Sequence, residues 1–138
     1  LKKELLQIPV FGWHLKKIGS ISINRDKISK DNYGFYEKIA NITNNTKRPV
    51  IIFPQATRTS PDDKIPFKKG VSKIYEKLNF ICVPVALNSG DVWPKNGSLK
   101  SNKTIRVSII NSIPSGLKTE DFLKKIQENL YNELDKIR

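Results

Sequence analysis

Two prolines bracket one short apolar run, Pro49-Val50-Ile51-Ile52-Phe53-Pro54, and the residues that follow, Gln55 to Pro66, are polar and turn-rich with Ser60-Pro61-Asp62-Asp63 as a breaker. A brief, unbroken apolar segment between turn signals is what a strand buried on both faces requires. Residues 50–53 therefore predict a buried strand, and 55–66 a loop leaving its carboxyl end.

The rest of the chain alternates helix-like and strand-like segments around this one. Phe11 to Ile18 reads as a short helix and Ser20 to Asn24 as a strand ending at Arg25. Asp31 to Ile42 is helical, with Phe35, Ile39 and Ile42 on one face. Phe67 to Leu78 is a helix whose Val71, Ile74, Tyr75 and Leu78 face inward. Phe80 to Leu87 is a second apolar strand, and Pro84 within it argues for a strand end or an edge. Asn88 to Asn102 is an irregular loop and Thr104 to Ile110 a strand. Thr119, Glu120 and Asp121 have the order of a helix start, hydroxyl first and acids in the first turn. Phe122, Leu123, Ile126, Leu130, Leu134 and Ile137 then form the apolar stripe of a final helix. This order predicts an α/β fold with a largely parallel central sheet flanked by helices.

At 138 residues the chain is long enough for one domain with a core of its own. The single cysteine, Cys82, excludes a disulfide framework or a Cys-rich zinc site, and its apolar neighbours predict a buried, inert thiol. Nothing suggests a metal site: Asp62 and Asp63 lie in a turn, where a solvated acidic pair is the default. No apolar stretch approaches the roughly 18 residues of a membrane span, and neither a signal nor a transit peptide is visible. Methionine is absent and the chain opens at Leu1, which points to a processed product or a piece of a longer protein.

The net charge is +12, with 25 Lys and Arg against 13 Asp and Glu. Such an excess favours polyanionic partners: nucleic acid, an anionic membrane surface or phosphorylated substrates. The lysines are scattered in pairs such as Lys16-Lys17 and Lys124-Lys125, and the accompanying wealth of isoleucine and asparagine makes coding bias as good an explanation of most of the excess as a polyanionic partner. Arginine is the informative cation, because only Arg25, Arg48, Arg58, Arg106 and Arg138 occur. Its planar fork of donors matches a phosphate in a way that an ammonium cannot.

In open parallel sheets, ligands bind outside the carboxyl ends of the strands. Arg25 and Arg58 each follow a predicted strand, so the two guanidiniums can converge on one anion, with Thr57 and Thr59 adding hydroxyls. From spacing alone, the alternative that both are solvated loop residues stands at least as well.

The residues also carry a specific likeness. Phe53-Pro54-Gln55-Ala56-Thr57-Arg58-Thr59 resembles the Phe-Pro-Glu-Gly-Thr-Arg-Ser block of the glycerolipid acyltransferases, the family of the 1-acyl-sn-glycerol-3-phosphate acyltransferases. Lys2-Lys3-Glu4-Leu5, Ile8-Pro9 and Phe11-Gly12-Trp13 resemble the family's stretch that follows its catalytic block. Gly19-Ser20-Ile21-Ser22-Ile23-Asn24-Arg25 resembles the Gly-x-Ile-x-x-x-Arg block. Phe67-Lys68-Lys69-Gly70 and Val83-Pro84-Val85-Ala86-Leu87 resemble the lysine-glycine helix start and the Val-Pro-Val block. Five segments in register, spanning most of residues 1–94, make the likeness strong.

The resemblance implies a glycerol-3-phosphate acyltransferase-like fold and an acyl transfer that makes phosphatidic acid. A histidine, held by the aspartate of a His-x-x-x-x-Asp block, would act as general base on the hydroxyl of lysophosphatidic acid, worth about 10²- to 10⁴-fold. The donor would be acyl-CoA or acyl-ACP, with no further cofactor and with acyl carrier protein as a conceivable partner. Carried over residue by residue, Arg25 and Arg58 bind the acceptor phosphate and Thr57 supports the loop. Gly19, Pro54, Gln55, Ala56 and Pro84 shape the site. By the same resemblance, such an enzyme works at the cytoplasmic face of a bacterial inner membrane.

The sequence departs from the pattern in two ways. The single histidine, His14, has Gly19 where the aspartate should be, so it reads as a surface or packing residue. The catalytic block is expected upstream of Leu1, and residues 1–138 alone are expected to be inactive. Gln55 and Ala56 replace the usual Glu and Gly, and if the second position needs a positive φ, Ala56 carries strain. Other lysolipid acceptors, a non-catalytic phospholipid-binding relative and a basic nucleic-acid-binding module are the competing readings. No recognition-motif signature supports the last, so nucleic acid is not the expected partner.

Overall fold

The structure, a computed structural model, describes residues 3–22, 32–46 and 48–138. They belong to two compact units, Leu1–Val50 and Ile51–Arg138.

In the first unit a turn of 3₁₀ helix, Lys3–Gln7, precedes helix α1, Phe11–Lys17, and helix α2 spans Asn32–Thr46. Gly12 is buried where α1 crosses the preceding turn, and a Cβ there would lie 2.2 Å from the Leu6 carbonyl oxygen. Only glycine permits that approach. Gly19 ends α1 with φ +73°, while its amide bonds Lys16 O and the Ser20 amide bonds Leu15 O. These bonds satisfy carbonyls that a helix end leaves open. Helix α2 continues four residues past the expected Ile42. The Thr43 and Thr46 hydroxyls bond back to Ile39 O (2.6 Å) and Ile42 O (2.7 Å), so they do not compete for the backbone amides. Ser20–Ser22 are not in a strand, and the remainder of that expected strand lies outside the described residues.

The second unit is built on two helices, α3 (Lys69–Leu78) and α5 (Thr119–Ile137), with strands β1 (Val85–Leu87) and β2 (Val107–Ile109) and a short helix α4 (Ser89–Val92). Phe67, Val71, Tyr75, Ile113, Phe122, Ile126 and Tyr131 form its core. The inward stripes of α3 and α5 meet there, as their periodicity requires. The Tyr75 and Phe122 rings stack face to face, with centroids 3.7 Å apart and planes 6° from parallel. The Tyr75 hydroxyl donates to Pro114 O and accepts from the Leu117 amide, pinning the approach to α5.

The expected parallel sheet is not what these residues form. β1 and β2 pair antiparallel, with Ala86 opposite Ser108, and Cys82 makes an isolated antiparallel bridge to Ile113. Pro84 is buried just before β1, and its carbonyl accepts the Ile110 amide. It stands at a strand end, where its missing N–H costs nothing. Asn88 extends the pairing through its side chain, accepting the Arg106 amide at 2.7 Å. Ala86 and Ser108 face α5, where the Ser108 hydroxyl donates to Glu133 at 2.6 Å. That bond and nearby Lys136 hold the Glu133 carboxyl below its usual range.

The run 50–53 is extended but unpaired. Ile52 packs on the core, whereas Ile51 is 82% and Phe53 74% exposed. Burial on both faces needs neighbouring strands, and no described residue supplies one. Cys82 is half-buried against the core, and desolvation pushes its thiol pKa up, away from the reactive thiolate.

Candidate functional site

The loop after Phe53 carries the Pro54-Gln55-Ala56-Thr57-Arg58-Thr59 segment, and its first turn closes when the Ala56 amide bonds Phe53 O at 3.0 Å. Ala56 sits at φ +58°, in the left-handed region. The conformation expected of the family's glycine is therefore adopted here by alanine, at a steric cost. Pro54 O accepts the Lys68 amide at 3.0 Å, joining the start of the loop to the start of α3.

Gln55 points back into the molecule. Its amide nitrogen lies 3.4 Å from the Tyr131 hydroxyl and 3.5 Å from Thr59 Oγ1. Tyr131 donates its own proton to Ile65 O at 2.6 Å, so the hydroxyl can accept only from a donor. A glutamine supplies that donor and a glutamate does not, which gives the Gln55 departure a local physical reason.

The far end of the loop is held by ions. Lys64 pairs with Asp135 at 2.6 Å. The Arg138 guanidinium donates to Pro61 O (3.1 Å), to Asp62 (2.8 Å) and in fork geometry to both oxygens of Asp91 on α4. Asp62 and Asp91 raise the Arg138 pKa. Asp62 stays solvated as its turn suggests, its side chain 81% exposed, while one oxygen pairs with Arg138.

The five arginines now separate. Arg48 donates to Ile18 O and Arg106 to Ile137 O, and Arg138 is the clamp just described. Arg58 is exposed beside exposed Thr57, and its guanidinium has no hydrogen bond or ion pair among the described residues. Arg25 lies outside the described residues, so its convergence with Arg58 stays an expectation. Gly19 terminates α1 in the first unit, and Pro84 precedes β1 in the second. His14 is exposed on α1.

A cleft of about 550 Å³ opens beside Arg138, lined by Asn88, Asp91, Lys100, Arg106 and Asp135 among others; neither Thr57 nor Arg58 lines it. Among the described residues no three His, Cys, Asp or Glu side chains gather as metal ligands. No described helix is long and apolar enough to cross a membrane.

Residues 1–88 match the model of the family described as Acyltransferase. The chain belongs to that acyltransferase family. It is 32% identical over 111 residues to a 1-acyl-sn-glycerol-3-phosphate acyltransferase of Pseudomonas aeruginosa, an alignment covering 79% of this chain and 42% of that protein. Proteins of the same name from Saccharomyces cerevisiae and Helicobacter pylori are 28% and 29% identical, covering 99% and 96% of this chain. The chain spans about half the length of these relatives: 42%, 47% and 56%. No solved structure matches. The family match includes the whole Thr57-Arg58 loop and ends one residue past β1.

Sequence reasoning missed the side chains that support this acyltransferase loop: Gln127, Tyr131, Asp135 and Arg138. The scarcity of arginine singles out Arg138, but nothing local tells that its partners are Asp62 and Asp91.

Proposed function

We propose that the protein transfers an acyl group from acyl-CoA or acyl-ACP to the free hydroxyl of 1-acyl-sn-glycerol-3-phosphate, making phosphatidic acid for phospholipid synthesis. The observation that carries this reading is the state of Arg58. Of the four described arginines, three are engaged by the chain's own acceptors, and the fourth is displayed on the loop that bears the family's block. An exposed guanidinium with free donors next to a threonine hydroxyl suits a phosphate monoester. Holding that phosphate would bring the acceptor hydroxyl into line for reaction. Arg25 is proposed as the second phosphate ligand.

The names of the three relatives support lysophosphatidic acid as acceptor, ahead of other lysolipids with an anionic head group. The larger, mainly parallel sheet expected from the order of strands and helices remains part of the proposal, supported by the exposed apolar side chains of Ile51 and Phe53. The net charge of +12 supports an anionic membrane surface as the working location, at the cytoplasmic face.

The test is acyl transfer by the full-length protein with wild-type Arg58 and with Arg58→Ala. Loss of a charge-assisted bond of about 1.5–3 kcal/mol should raise the KM for lysophosphatidate by at least about tenfold. The donor KM should stay as it was. Equal acceptor KM in wild type and variant sinks the phosphate assignment.

A further inference from the structure

One face of α5 runs along the substrate loop and reads it rung by rung. Gln127, Tyr131 and Asp135 are spaced four residues apart and lie in a single row on the helix, and Arg138, three residues on at the C-cap, continues it. Gln127 Oε1 accepts the Phe67 amide at 2.9 Å. One turn on, the Tyr131 hydroxyl donates to Ile65 O at 2.6 Å and faces the Gln55 amide at 3.4 Å. The next turn brings Asp135 to Lys64 at 2.6 Å, and the last brings Arg138 to Pro61 O at 3.1 Å and Asp62 at 2.8 Å. As the helix ascends 127, 131, 135, 138, the loop descends 67, 65, 64, 62–61.

We infer that this row is a positioning device for the loop, with Tyr131 and Arg138 as positioning residues that fix where Arg58 presents its guanidinium. The inference rests on the phosphate-binding reading above and extends it to residues outside the family match, which ends at residue 88.

The loop has no regular structure of its own, so its shape must come from elsewhere. Between Pro54 and Phe67 it crosses thirteen backbone steps with φ +58° at Ala56 in its first turn. Gln55 anchors that turn through Tyr131, and Arg138 anchors the return at Pro61-Asp62. Thr57 and Arg58 lie between the two anchors and stay exposed. A second observation marks the return as fixed: a Cβ on Gly90 of α4 would lie 3.2 Å from the Pro61 ring. Arg138 binds Asp91 next to that glycine, so one guanidinium ties α4, the loop and the end of α5 together. A planar fork with five donors can take both oxygens of Asp91 and still reach Pro61 O and Asp62, four acceptor atoms where a lysine has three N–H groups and no fork.

The experiment measures kcat and the KM of acceptor and donor separately in the full-length protein, with thermal unfolding alongside. Arg138→Ala should raise the KM for lysophosphatidate by about tenfold, with kcat and donor KM changed less than about twofold. Arg138→Lys should fall between the two, and Tyr131→Phe, which keeps the ring in the core, should raise the same KM by about threefold. A purely structural role would lower the unfolding temperature and the amount of active enzyme while leaving acceptor KM unmoved. Arg58→Ala is the control that separates the two ideas. If Arg58→Ala raises acceptor KM while Arg138→Ala and Tyr131→Phe do not, the positioning role is wrong and the phosphate reading stands. If Arg58→Ala itself has no effect, both fall. Should Arg138→Ala not fold, Arg138→Lys and Tyr131→Phe decide by the same criterion.

Discussion

Ala56 holds a methyl group at φ +58°, where the family block has glycine. For an L-residue that region costs about 1–2 kcal/mol, and glycine gives back about 0.5–1 kcal/mol of it through the freedom of the unfolded chain. Ala56→Gly should therefore stabilise the fold by up to about 1 kcal/mol, read as a higher urea midpoint at unchanged m-value. A lower midpoint would mean that the methyl packs usefully. Gln55 illustrates a different kind of residue-scale choice. With the Tyr131 proton committed to Ile65 O, only a donor suits position 55. That the third residue of the block departs from the family pattern was visible in the sequence. Its reason was not, because the partner lies 76 residues away.

At the scale of elements, α5 begins one residue earlier than its sequence suggests. The Thr119-Glu120-Asp121 order suggests a hydroxyl cap, but the N-cap is Lys118, which makes no side-chain bond to the first turn. Thr119 spends its hydroxyl on Glu76 of α3 at 2.7 Å. An uncapped amide turn leaves room for improvement. Lys118→Asp should stabilise the protein by about 1 kcal/mol through the cap and the helix dipole, measured by thermal or urea unfolding. No gain would place the cap at Thr119 after all. The helices were legible because their apolar stripes recur within a few residues, as Val71, Ile74, Tyr75 and Leu78 do in α3. The strands were less so. Val85–Leu87 and Val107–Ile109 are three residues each, far shorter than the apolar runs that contain them. Residues in such runs become strand only where a partner backbone supplies hydrogen bonds. The short helix α4 inside the expected loop 88–102 depends likewise on Asn88 and Asp91 finding distant partners.

For the whole molecule, charge is the property that acts at long range. A net +12 on 138 residues gives the proposed membrane association a steep salt dependence. Co-sedimentation of the full-length protein with vesicles rich in anionic phospholipid should fall sharply between about 0.05 and 0.5 M salt, while neutral vesicles should bind little at either. Equal binding to both vesicle types would remove charge as the basis of that association.

From the amino-acid sequence alone came the amphipathic helices, the place of the Thr57-Arg58 loop and membership of the acyltransferase family. All three are written in residues close together along the chain, where periodicity, turn chemistry and motif spacing are complete without any neighbour. The tertiary structure alone decided the antiparallel direction of β1 and β2, the exposure of Ile51 and Phe53, and which arginine is left without a partner among the described residues. Each of these is a matter of what a group meets across space, and a guanidinium is bound or available only once Pro61, Asp62 and Asp91 have been brought to it or kept away.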